Sequence, residues 1–122
     1  MAIVRLLVAD VAVASAFYTE HFGFVETENW GGAFAIVLRE DLSLWLSGPQ
    51  TSAAKPLSDG RVPVPGGWNR IVLSVTDIEK TVAQLRAAGC VFRSEIVSGP
   101  GGQQILCDDP SGNPIEVFQP RG

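Results

Sequence analysis

Four short runs of this chain alternate between two kinds of position with a period of two. Val4, Leu6 and Val8 alternate with Ile3, Arg5 and Leu7, and Ile71, Leu73 and Val75 alternate with Arg70, Val72 and Ser74. Leu42, Leu44 and Leu46 alternate with Ser43, Trp45 and Ser47, and near the end Ile115 and Val117 alternate with Glu116 and Phe118. A period of two gives a strand two unlike faces. One face here is wholly aliphatic and must be covered. The other mixes Arg, Ser, Trp, Glu and Phe, the composition of a wall that meets solvent or a ligand.

Two stretches break this rhythm, and each opens with an aspartate. DVAVASAFYTEHFGF begins at Asp10 and DIEKTVAQLRAAGCVF at Asp77. A carboxylate in that place caps a helix by accepting from its first free amides. The first helix is expected to run to about His21 and to bury Val13, Ala16, Phe17 and Phe22. The second should run to about Ala88 and bury Ile78, Val82 and Leu85, with Gly23 and Gly89 as left-handed stops. Three strand candidates follow each glycine: FVETE, AFAIVL and LSLWLS, then CVFRSEIV, GQQILC and PIEVFQ. Gly31-Gly32 and Gly99 to Gly102 read as hairpin turns, and Asp109-Pro110-Ser111-Gly112 as a type I turn. The chain is thus one βαβββ unit written twice. The expected fold class is α+β, a single domain over 1–122 in which the helices cover the outer face of a cupped sheet. The first module spans 1–49 and the second 68–122. A Pro-, Gly- and Ser-rich linker over 50–67 joins them, expected as a mobile segment near the pocket mouth.

Composition narrows the function. The 122 residues carry a formal net charge of −4, and the nine basic residues are scattered. No basic stripe meets phosphates, so nucleic acid is excluded as a partner. Cys90 and Cys107 lie in apolar runs and are expected as packed, reduced thiols rather than a disulfide. The apolar N-terminus imitates a secretory signal, yet Arg5 and Asp10 interrupt it and its pattern recurs around Asp77. No apolar run reaches the roughly 18 residues of a membrane span. A cytoplasmic protein with no membrane partner is expected.

The repeated module, the helix bearing Phe17-Tyr18 and closing in Phe22-Gly23-Phe24, and the terminal DDPSGNPIEVFQP together resemble the vicinal oxygen chelate superfamily. That superfamily includes glyoxalase I, extradiol dioxygenases, fosfomycin resistance proteins and bleomycin-binding proteins. The resemblance covers the whole chain and implies the fold; function must be argued from the site. It also implies where a divalent metal would be held, by the first and last strands of each module. Carried over by spacing from Asp10, Asp77, Pro49 and Pro120, those positions are Ile3, Arg70, Trp45 and Glu116. Only Glu116 can ligate a metal, and Arg70 would repel one. His21, the single histidine, belongs at a helix end, away from the cup.

The expectation is therefore a cup without metal or other cofactor and without catalytic residues, since Ser43, Ser47 and Ser74 have no histidine base. Its candidate ligand-binding residues are Ile3, Arg5, Trp30, Phe34, Trp45, Arg70, Glu116 and Phe118. Aromatic walls with a few polar anchors form the usual small-molecule site. The expected function is sequestration of an aromatic or amphipathic compound such as an antibiotic, in the manner of the bleomycin-resistance members. The alternative is a lyase, isomerase or dioxygenase with an unusual site around Glu116. The resemblance further implies a homodimer, with exchange of modules between chains permitted by the long linker.

Overall fold

Asp10 and Asp77 both act as helix caps. In the computed structural model, which describes residues 1–122, each has extended backbone with φ near −142°. Each accepts from the amide three residues on, Val13 and Lys80 respectively, at 3.1 Å. Helix α1 then runs Val11–Phe22 and helix α2 Ile78–Ala87. Gly23 ends α1 at φ 72°, in the left-handed region where glycine carries no steric cost.

The chain divides into two compact units, Met1–Pro65 and Gly66–Gly122. In the first, strands β1 (Ala2–Leu7), β2 (Val25–Asn29), β3 (Phe34–Arg39) and β4 (Leu42–Ser47) form one sheet in the order β1-β4-β3-β2. β1 runs parallel to β4 and the other neighbours are antiparallel. The aliphatic face is the core: Ala35, Val37, Leu44 and Leu46 are fully buried, with α1 packed on β2, β3 and β4. Each such side chain stabilises the fold by roughly 1.5–3 kcal/mol, alanine excepted.

The buried stripe of α1 differs from expectation. Val13 and Ala16 are exposed, and Val11, Ala14, Ser15, Phe17, Tyr18 and Phe22 face inward. Tyr18 decides the register. It is fully buried and meets Phe17 and Phe24 edge-on, at 5.2 and 5.5 Å between ring centres. The alanine-rich sequence left two stripes of similar hydrophobicity, and the larger aromatic payload won.

In the second unit β5 (Ile71–Ser74), β6 (Val97–Gly99), β7 (Gly102–Asp108) and β8 (Pro114–Pro120) repeat the plan, in the order β5-β8-β7-β6. Leu73, Ile105, Cys107, Ile115 and Val117 form the buried face, with Ile78, Val82 and Leu85 of α2 also in the core. Gly102 starts β7 at φ 149°, where a Cβ would collide with the Gln119 carbonyl.

Of the expected strand CVFRSEIV only Val97 lies in a strand, at the start of Val97–Gly99, and Phe92 makes one isolated bridge to Cys107. The segment still runs beside β7, but Leu106 N–H donates to the Ser94 hydroxyl at 3.0 Å instead of to a carbonyl, and the ladder lapses. Arg93 N–H still donates to the Leu106 carbonyl at 2.9 Å, while its side chain is engaged elsewhere. Its guanidinium donates to Asp108 at 2.6 Å and to the carbonyls of Gly67 and Gly112 at 2.7 and 3.0 Å, and lies 4.6 Å over Trp68. That clasp and the Gly66 N–H donating to Asn113 at 2.8 Å tie the start of this unit to the DPSGN turn. Within the turn Asp109 accepts from the amides of Ser111 and Asn113, at 2.8 and 3.0 Å. No helix is long and apolar enough to cross a membrane.

Because both caps have the same geometry, Asp10→Ala and Asp77→Ala should each destabilise the protein by about 1 kcal/mol. Urea unfolding midpoints measure this, and unequal effects would show that the two helix starts are not equivalent.

Candidate functional site

Strand register draws one side chain from each strand of the first sheet into a single row. Arg5 on β1 stands beside Trp45 on β4, Trp45 beside Ile36 on β3, and Ile36 beside Glu28 on β2. The last step depends on a bulge. Glu26 pairs with Val37, yet Glu28 pairs with Ile36, so Thr27 is an extra residue in the ladder. In a regular strand Glu26 and Glu28 would share a face; the bulge separates them. Glu26 stays on the helix side, where Ser15 of α1 donates to it at 2.7 Å. Glu28 turns to the face of Trp45.

That face holds a cavity of about 550 Å3, lined by Arg5, Glu28, Trp30, Phe34, Ile36 and Trp45 and bounded by Thr51 and Ser52. Its aromatic wall is continuous: Trp30 and Phe34 lie 5.4 Å apart by ring centres, and Phe34 and Trp45 5.9 Å. The Arg5 guanidinium lies 5.0 Å over the Trp45 ring, and its Nη1 donates to Ser47 at 3.0 Å. Ser47 was expected on the open wall and is fully buried instead, its hydroxyl also donating to the Trp45 carbonyl at 3.1 Å. At the other end the Trp30 indole donates to Glu28 at 3.0 Å. Thr51 and Ser52 come from the segment expected as the linker, at a 3-10 turn over Ser52–Ala54.

Four of the eight sequence candidates, Arg5, Trp30, Phe34 and Trp45, thus meet in one cavity. Ile3 lies outside it, exposed on β1. In the second unit Arg70 and Glu116 meet each other: Nε and Nη2 both donate to Oε1, at 3.2 and 3.0 Å, with the side chains 30% and 12% exposed. Phe118 is half-buried two residues further along β8. Glu28, Ile36, Thr51 and Ser52 escaped the sequence reading. The alternation that flags Trp45 breaks at the β2 bulge, and a bulge has no signature in FVETE.

The residues present do not fit the divalent metal that the fold implies. Of the four positions, one is aliphatic and one an indole. At the third a guanidinium is hydrogen-bonded to the carboxylate that occupies the fourth. No three His, Cys, Asp or Glu side chains cluster anywhere to hold an ion. His21 lies in the last turn of α1, edge-on to Phe17 at 5.3 Å. Both cysteines are free, and burial pushes the Cys107 thiol up to about 12, with Cys90, Asp108 and Asp109 adding to the shift. A thiol so disposed is protonated and a poor nucleophile at neutral pH.

The sequence matches the family model of the Glyoxalase/Bleomycin resistance protein/Dioxygenase superfamily over residues 1–117, and the chain belongs to that superfamily. No curated protein matches the sequence. Among solved structures, the fold is similar to the fosfomycin resistance protein FosX of Listeria monocytogenes, with a TM-score of 0.75 at 15% identity over 99% of this chain and 93% of that one. It is similar to the lactoylglutathione lyase of Agrobacterium tumefaciens, with a TM-score of 0.72 at 20% identity over 98% and 92%. It is also similar to TnmS3, an antibiotic binding protein from a Streptomyces species, with a TM-score of 0.69 at 26% identity over 98% and 93%.

Proposed function

We propose that this protein binds a planar aromatic or amphipathic small molecule, such as an antibiotic, in the cavity of its first unit and releases it unchanged. The observation that carries this reading is the Trp30–Phe34–Trp45 wall beneath Arg5, around a cavity of about 550 Å3. Three rings with two charged groups beside them, Arg5 and Glu28, offer stacking area and points of orientation, the usual composition of a small-molecule site. The similarity to an antibiotic binding protein at 26% identity supports the ligand class. Sequestration needs no nucleophile, and the Ser47 hydroxyl is already engaged with Arg5. Enzymatic use of Glu116 gains no support from its surroundings, since its Oε1 accepts two bonds from Arg70.

The same reading includes a cytoplasmic location and a symmetric homodimer. Two unbridged thiols, one fully buried, support a reducing compartment. Each sheet ends in strands with an unpaired edge, and dimerisation is a common way to cover such edges.

Tryptophan fluorescence should be quenched saturably by some members of a panel of planar polycyclic natural products. Trp45→Ala should weaken that binding about tenfold or more. An unresponsive panel, or quenching that survives unchanged in Trp45→Ala, contradicts the site. Sedimentation equilibrium should give twice the 13.0 kDa mass of the chain; a monomer at all concentrations contradicts the dimer.

A further inference from the structure

Two charges face this cavity, and neither is answered by an opposite one. Arg61, Arg70, Arg86 and Arg93 each hold a carboxylate, those of Asp59, Glu116, Glu95 and Asp108. Arg5 instead holds a hydroxyl and an indole face, both neutral. Glu28 accepts from the Trp30 indole, which is also neutral. The two ions sit at opposite ends of the same row, on strands β1 and β2 at the two edges of the sheet. Trp45 and Ile36 lie between them. Their neutral partners cancel neither charge and both side chains are exposed, so each keeps its capacity to attract a counter-charge.

The two ions are also kept from neutralising each other. Three strand spacings separate their backbones, roughly 14 Å. Trp45 and Ile36 fill the interval, and the Arg5 guanidinium reaches along the row only as far as the Trp45 ring, 5.0 Å over it. A charge at each end of a flat apolar floor matches one kind of molecule. We infer that the ligand is a dipolar aromatic: a rigid planar ring system with an anionic group at one end and a cationic or strongly hydrogen-bond-donating group at the other. Arg5 receives the anion and Glu28 the cation, while the ring system lies along Trp45 and Ile36. This rests on the first-unit cavity being the binding site. The bulge at Thr27 then acquires a function, since it brings Glu28 onto the binding face.

Four naphthalene probes test the inference, with tryptophan quenching as the readout. One carries a carboxylate on one ring and an aminomethyl group at the far end of the other; one carries the carboxylate alone, one the aminomethyl group alone, and one neither. The dipolar probe should bind about tenfold more tightly than either singly charged probe. Arg5→Gln should abolish the advantage given by the carboxylate and leave that of the aminomethyl group, and Glu28→Gln should do the reverse. Arg5→Lys should restore part of the carboxylate preference. Gln at position 28 keeps the acceptor for Trp30, so a change there reports charge and not a displaced indole. If all four probes quench equally in the wild type, or if neither variant alters discrimination, the dipolar assignment is overturned while the aromatic cavity stands. If none of them quenches, the cavity reading itself falls and this inference with it.

Discussion

A strand ladder fixes which side chains can be neighbours, and the first unit depends on that constraint. Once β4 buries Leu44 and Leu46 beneath α1, Trp45 must face the other way, and pairing sets Arg5 on one side of it and Ile36 on the other. A slip of one residue would send the aliphatic side chains to the open face and the indole into the core. The cost of that slip is several buried Leu and Val side chains at roughly 1.5–3 kcal/mol each. The core therefore holds the cavity wall in place, although the wall takes no part in the core.

The two halves show how one scaffold carries different chemistry. Both use an aspartate-capped helix on an aliphatic sheet face and a parallel pair formed by their first and last strands. On the open face of the second half the charges are internal, with Arg70 bonded to Glu116. On the open face of the first half Arg5 and Glu28 stand apart with a line of apolar side chains between them. A closed ion pair is balanced where it stands, whereas separated ions attract a partner from outside. The proposed ligand site follows from that difference.

Much of this architecture was legible in the residues themselves. Period-two runs located the first and last strands of each module, because burial on one face leaves no other pattern. Asp10, Asp77 and Gly23 marked helix ends through chemistry that is local to the chain. The stripe of α1 was misplaced because a run of alanines carries little directional information, and the burial of Tyr18 depends on ring contacts from outside the helix. CVFRSEIV looked like a strand by composition, but Leu106 N–H turns to the Ser94 hydroxyl, and the bonds from Arg93 N–H to Leu106 and from Asp108 N–H to Val91 are left without a continuous ladder. Those are tertiary facts that no local pattern contains. Arg5, Trp30, Phe34 and Trp45 were found because aromatic and cationic residues on an open face are rare enough to notice. Glu28 was hidden by the bulge, which changes its face without changing its neighbours in sequence.

The central claim is that small-molecule recognition belongs to the open face of the first sheet. Amide and indole chemical shifts of isotopically labelled protein, followed during titration with the dipolar naphthalene, test it most directly. The account predicts saturable shifts at Arg5, Glu28, Trp30, Phe34, Ile36 and Trp45, with Val72, Glu116 and Phe118 unmoved. Shifts centred on Arg70 and Glu116, with the first sheet unchanged at saturation, would contradict it.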